Sequence, residues 1–124
     1  EVILVKQYRY AVGREMLEIP AGLLEPGEKM EECAARETEE ETGFRPLEIT
    51  HLFDFYSSPG YCTECVGVYA AKHLMPSQQH LDPDEDVEVE ILPLEEAVDK
   101  IRSGEIVDGK TVAAIMSVSA QSLI

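Results

Sequence analysis

No stretch of this chain is apolar for long enough to cross a bilayer as a helix, which excludes a helical membrane span. Basic residues are scarce. Ten Lys and Arg stand against 25 Asp and Glu, a formal net charge of −15. A phosphate backbone needs a basic surface, so bulk nucleic acid is excluded as a partner, while a small phosphate ligand bridged by metal stays compatible. The three cysteines are an odd number with no disulfide framework, which fits a reducing cytoplasm. Cys62 and Cys65 have the C-x2-C spacing of half a zinc site, with His51, His73 and His80 as conceivable partners. No second such pair and no paired histidines follow, so they read as ordinary thiols at a strand end. Repeats, low-complexity tracts and internal linkers are also missing. With 124 residues and 44% apolar content the chain is expected to form one domain with a real core. It begins with Glu1 rather than Met, so a preceding segment is expected to be cut off or left out, and any targeting signal would lie in it.

Acid, by contrast, is plentiful, and its placement is ordered. In Gly22 to Phe44, GLLEPGEKMEECAARETEEETGF, the glutamates Glu28, Glu37, Glu40 and Glu41 recur at fixed offsets around an expected helix. A helix turns about 100° per residue, so Glu37 and Glu41 share one stripe with Met30 and Ala34, and Glu40 lies on its flank. Carboxylates that continue an apolar face are costly to bury unless a cation neutralises them, and hard divalent ions take oxygen ligands. The alternative is a solvated acidic face. Such a face would need neither Gly22 nor Gly43 at these offsets. Gly22, after Ile19-Pro20-Ala21, is expected to make a sharp turn that leaves the Ala21 carbonyl facing the ion. Gly43 suits a left-handed helix end.

The same residues resemble the signature of the Nudix hydrolases, G-x5-E-x7-R-E-U-x-E-E-x-G-U with U a bulky apolar residue. Gly22, Glu28, Arg36, Glu37, Glu40, Glu41, Gly43 and Phe44 fall in register, and Thr38 at a U position is the one departure. The resemblance implies an α/β fold, an α/β/α sandwich around a mixed β-sheet. It implies Mg2+, with Mn2+ as a substitute, held by Glu37, Glu41 and the Ala21 carbonyl with Glu40 assisting. It also implies that Arg36 holds the ligands in place by pairing with Glu28 or Glu40, so that Glu28, Arg36 and Gly43 have structural roles.

Further residues resemble the ADP-ribose pyrophosphatase subfamily. Pro59 lies 16 residues after Gly43 in DFYSSPGYCTE, and Gly104 to Thr111, GEIVDGKT, has the look of the same group. Gln7-Tyr8-Arg9 resembles its Q-x-R element, whose arginine contacts the diphosphate, and a guanidinium suits phosphate oxygens. Gly22 and Pro59 would also line the substrate. Relatives draw a general base from a mobile acidic loop, here LDPDED, which makes Glu85 the first candidate, Glu64 the second and the metal cluster itself the third. The expected reaction is hydrolysis of a nucleoside diphosphate sugar, ADP-ribose first among them, to AMP and ribose 5-phosphate. Another NDP-sugar or a dinucleotide is the nearer alternative, and a non-catalytic nucleotide sensor the more distant one. The subfamily completes its base pocket with an N-terminal sheet and a homodimer partner. That sheet would precede Glu1.

Local patterns predict strands over 2–10, 16–19, 47–55, 63–72 and 87–92, and helices over 30–42, from Pro93 to Ile101, and from Lys110 to about Leu123. In the last helix Ala113, Met116, Val118 and Ala120 are the residues expected to pack.

Overall fold

The computed structural model describes residues 1–122 and divides into two compact units, one built from Glu1–Ile19 with the chain from Asp84 onward, the other from Pro20–Pro83. Leu123, at the expected end of the last helix, lies outside the described residues.

The first unit holds strands β1 (Val2–Arg9) and β2 (Arg14–Glu18) and, after Asp84, strand β5 (Glu88–Leu92). β1 is the central strand, with β2 and β5 antiparallel to it on either side. Its consecutive residues Leu4 and Val5 are both fully buried, so both of its faces are covered there, as its continuous run of Val, Ile and Leu requires. Helix α2 (Leu94–Arg102) follows Pro93, whose fixed φ of −60° leads into the first turn. Glu95 and Glu96 open the helix and Lys100 and Arg102 close it, each complementing the local end of the helix dipole. Helix α3 (Gly109–Ser122) starts on Asp108, whose carboxylate accepts from the Thr111 N–H at 3.3 Å, an N-cap bond. Leu4, Leu17, Leu92, Ala97, Val98, Ile106 and Ile115 form the core of this unit.

The second unit carries α1 (Met30–Thr42) and a long antiparallel ribbon of β3 (Phe44–Tyr56) and β4 (Cys65–Pro76). The register slips between His51 and Phe53, where one extra residue bends the ribbon. At the start of α1 the Glu32 carboxylate accepts from the Lys29 N–H at 3.3 Å. Gly43 ends the helix at φ 78° and donates its N–H to the Glu39 carbonyl at 2.9 Å, the left-handed stop its position suggests. The chain leaving β4 then supplies donors to further carbonyls at this end. Ser77 N–H donates to Gly43 O at 2.7 Å, His80 N–H to Glu40 O at 2.8 Å, and the Gln79 amide to Glu41 O at 2.8 Å.

Helices and strands are therefore mixed along an α/β chain, in the order β1, β2, α1, β3, β4, β5, α2, α3, with expected boundaries shifted by a few residues. The largest shift is in β4, which runs on to Pro76 because it pairs along the whole of β3. Polar Lys72 and His73 hide that continuation, since long-range pairing leaves no local signal. The packed face of α3 also differs from expectation. Ala114 and Ile115 are buried and Val112 packs against the core, whereas Met116 is 41% exposed and Ala120 is exposed. On α1, Met30 is likewise exposed, and the buried positions are Cys33, Glu41 and Thr42.

This assignment of the α3 face is testable by thermal or urea unfolding. Ile115→Ala should lower stability by about 2–4 kcal/mol through lost burial and a residual cavity, and Met116→Ala by no more than about 0.5 kcal/mol.

Candidate functional site

The acidic motif is organised by one guanidinium. Arg36, on α1 and 23% exposed, reaches four carboxylates. Its Nε donates to Glu28 Oε2 at 2.8 Å and its Nη2 to Glu28 Oε1 at 3.0 Å, a two-point grip. Its Nη1 donates to Glu37 Oε1 at 2.7 Å and to Glu40 Oε2 at 3.1 Å, with Glu25 at 3.5 Å. Nη2 also reaches the Leu23 carbonyl at 3.1 Å, which ties the loop before the helix to the helix itself. Sequence reasoning offered Glu28 or Glu40 as the partner of Arg36. Both are partners, and Glu37 is a third.

These bonds set the local electrostatics. Arg36, helped by the Glu25 N–H that donates to Glu28, holds the Glu28 carboxyl down at about 2, against an ordinary 4.5. Glu28 in turn is the main reason that Arg36 is pushed above its ordinary value. Burial raises the Cys33 thiol, and the nearby Glu28 charge raises it further, so this thiol stays protonated.

Gly22 is required for a different reason from the one its sequence position suggests. It has no positive φ, but a β-carbon there would overlap the carboxylate of Glu37. The glycine is a cradle for that side chain. Glu41, one turn beyond Glu37, is buried. Ala21 is exposed in the loop before the helix. Carboxylates and carbonyls offer only oxygen, the donor set that hard divalent cations select. As placed, no three Asp, Glu, His or Cys side chains among the described residues converge on one point. Glu37 and Glu40 close instead on the Arg36 guanidinium, which is the cation at hand. The donors fit a hard ion in chemistry, and binding one would require Glu37 to share its carboxylate between that ion and Arg36.

Pro59 and Glu64 lie in the loop between β3 and β4, both exposed. The loop is tied by Cys62 N–H to Ser58 O at 2.9 Å and by Ser57 N–H to Glu64 O at 3.2 Å. Cys62 and Cys65 are free thiols, and Cys65 opens β4 as expected.

In the other unit, Arg9 closes β1 and donates through Nε and Nη2 to Glu18 at 2.8 and 2.9 Å. Glu18 is almost fully buried and also accepts from Lys110 Nζ at 2.9 Å. Burial pushes its carboxyl up, but the bonds from Arg9 and Lys110 outweigh that and leave it below the ordinary value. Sequence reasoning singled out Arg9 and the Gly104–Thr111 run but missed Glu18 and the roles of Lys110 and Asp108. A glutamate in the expected strand over 16–19, otherwise filled by Met16, Leu17 and Ile19, was the one available signal. Glu85 is exposed and lines a cavity of about 380 Å3 with Gln7, Tyr8 and Tyr10 of the β1 end.

A carboxyl whose pKa is depressed on folding stabilises the fold above its unfolded value and loses that contribution as pH falls through the folded one. For Glu28 the window runs from about 4.5 down to about 2. Glu28→Gln should therefore lower Tm at neutral pH and make Tm fall less steeply between these limits than in the parent chain. Parallel melting curves across that range check it.

The family model for the NUDIX domain matches residues 1–115. Over 117 residues, 93% of this chain, the sequence is 44% identical to a protein named ADP-ribose pyrophosphatase from Bacillus subtilis (strain 168). It is 39% identical, over 98% of the chain, to one named methanol dehydrogenase activator from Bacillus methanolicus. It is also 39% identical, over 99% of the chain, to one named GDP-mannose pyrophosphatase from Citrobacter koseri (strain ATCC BAA-895 / CDC 4225-83 / SGSC4696). The chain spans 63%, 66% and 69% of the lengths of these relatives. A solved structure described as an ADP compounds hydrolase superposes with a TM-score of 0.87 at 27% identity, covering 96% of this chain and 64% of that one. The matched family model spans nearly the whole chain, and with the signature glutamates gathered on Arg36 it leads to one assignment: the chain belongs to the NUDIX domain family and has its fold.

Proposed function

We propose that this chain is a single Nudix hydrolase domain that cleaves the pyrophosphate bond of a nucleoside diphosphate sugar with Mg2+, ADP-ribose being the preferred substrate. The observation that carries this reading is the set of signature carboxylates on and beside α1, with Glu28, Glu37 and Glu40 held on Arg36 and Glu41 buried one turn beyond Glu37. A module that only binds nucleotide would have no use for all of them. The 44% identity to a protein named ADP-ribose pyrophosphatase supports the choice of substrate.

In this reading Glu37, Glu41 and the Ala21 carbonyl hold the metal and Glu40 assists. Bound there, such an ion polarises phosphoryl oxygens and offsets charge developing on the leaving phosphate. Arg9 binds the diphosphate through charge-assisted hydrogen bonds, and Gly22 and Pro59 line the substrate. Glu85 takes a proton from the attacking water as its oxygen bonds to phosphorus and the anhydride P–O bond breaks, leaving AMP and ribose 5-phosphate. Glu64 is the second candidate for that proton. The protein works as a cytoplasmic homodimer. A second substrate reading, another NDP-sugar, is favoured by the 39% identity to a protein named GDP-mannose pyrophosphatase.

Two measurements test the proposal. In a substrate panel with Mg2+, ADP-ribose should give a higher kcat/KM than GDP-mannose, UDP-glucose, diadenosine polyphosphates or nucleoside triphosphates, with triphosphates the poorest. A preference for triphosphates would sink the substrate assignment. Glu41→Gln should cut turnover at least ~100-fold with the fold intact, the scale of losing a major electrostatic contributor. Near-normal turnover at saturating Mg2+ would remove Glu41 from the ligand set.

Proton transfer and metal binding are separable by kinetics. Glu85→Gln should lower kcat strongly at unchanged Mg2+ dependence, and Glu64→Gln should have the smaller effect. The reverse order would move the base to the loop that follows Pro59.

A further inference from the structure

In the unit that holds Arg9, one buried carboxylate carries two cations from distant parts of the chain. Glu18 Oε1 accepts from Lys110 Nζ at 2.9 Å and from Arg9 Nη2 at 2.9 Å, and Oε2 accepts from Arg9 Nε at 2.8 Å. Lys110 is itself held at the start of α3, where its ammonium donates to Asp108 Oδ2 at 3.0 Å. That same oxygen accepts from the Thr111 hydroxyl at 2.6 Å, and the Thr111 hydroxyl oxygen accepts from the Ile19 N–H at 3.0 Å. The chain of bonds therefore returns to the residue next to Glu18, closing a loop of interactions between the end of β2 and the first turn of α3.

The members differ in exposure in a way that indicates their use. The side chains of Glu18, Asp108 and Lys110 are 3%, 19% and 20% exposed, while that of Arg9 is 46% exposed. A buried ion pair contributes little net stability compared with a packed apolar pair, so stability alone is a weak reason for such a cluster. What the cluster does achieve is orientation. With Nε and Nη2 both engaged on a carboxylate that cannot turn, the plane and direction of the Arg9 guanidinium are fixed. Lys110 prevents the turn, because without it Glu18 would be held by Arg9 alone and the two side chains could shift together.

We propose that Lys110 is a positioning residue for substrate binding: it anchors Glu18 from α3, and Glu18 in turn fixes the guanidinium of Arg9 for the diphosphate. This rests on the reading of Arg9 as the phosphate-binding arginine. Lys110 acts only through Arg9, and that dependence separates positioning from general support of the fold.

The test is a double-mutant cycle in the full chain, with KM and kcat for ADP-ribose and Tm measured for each variant. Lys110→Met keeps the stem but removes the charge and should raise KM by about tenfold, with kcat within about threefold of the parent. Lys110→Arg, which retains a cation for Glu18, should restore most of the affinity. In an Arg9→Ala background, Lys110→Met should change KM no further. If it raises KM by the same factor with and without Arg9, or lowers kcat and Tm while leaving KM alone, Lys110 is only structural and the proposal is overturned. Should Lys110→Met not fold, Asp108→Asn frees the ammonium while keeping its charge, and its smaller rise in KM must likewise vanish without Arg9. Absence of turnover on every nucleoside diphosphate sugar in the parent chain would contradict the functional reading itself. Turnover in the parent with no coupling between positions 9 and 110 would contradict this inference alone.

Discussion

The grip of Arg36 on Glu28, Glu37 and Glu40 is the interaction from which the acidic half of the molecule follows. Without a guanidinium among them, these carboxylates would repel one another, and they would do so near the wrong end of a helix. The last turn of α1 carries no basic residue, although the dipole there favours cations. A sequence selected for stability alone would not place Glu39, Glu40 and Glu41 in that turn. Arg36 offsets part of this cost, and Glu28 reaches it from the preceding loop, so loop and helix are locked by the same bonds. Gly22 then lets the backbone pass directly against Glu37, leaving that carboxylate walled on one side by main chain.

A second arginine is handled in a related way in the unit that contains β1. Arg9 lies across Glu18 as Arg36 lies across Glu28, each by a two-point contact through Nε and Nη2. The difference is in what surrounds the carboxylate. Glu28 is served by one cation and by backbone N–H, whereas Glu18 is buried and accepts from two cations, Arg9 and Lys110, whose bonds outweigh the effect of burial on its carboxyl. In both cases a carboxylate holds a planar cation in a defined orientation, which a lysine in the same place could not offer.

Much of this was legible in the sequence. The spacing from Gly22 to Phe44 specified α1, its left-handed stop at Gly43 and the pairing of Arg36, because these depend on offsets within one helix and one loop. The residues that sequence reasoning missed are linked over long separations. Glu18 meets Lys110 across 92 positions, and no local period reveals that. The packed face of α3 was misplaced in part for a similar reason, since Met116 and Ala120 are exposed while Ala113 and Val118 are half-buried. Ala113, Met116, Val118 and Ala120 look as apolar as Ala114 and Ile115, and only the position of the sheet and of α2 decides which side is covered. Gly22 was singled out for a turn, whereas it meets a side chain fifteen residues on, and such a close approach cannot be told from a turn in the sequence alone.

If Glu37 and Glu41 take up a divalent cation as proposed, direct binding shows it without reference to any substrate. Mn2+ can be titrated into the protein and followed by the loss of the free-ion electron paramagnetic resonance signal. The parent chain should bind Mn2+ saturably, Mg2+ should displace it, and Glu41→Gln and Glu37→Gln should each weaken binding by about tenfold or more while Tm without metal stays close to that of the parent. Binding that is absent in the parent chain, or equally strong in both variants, would contradict the account.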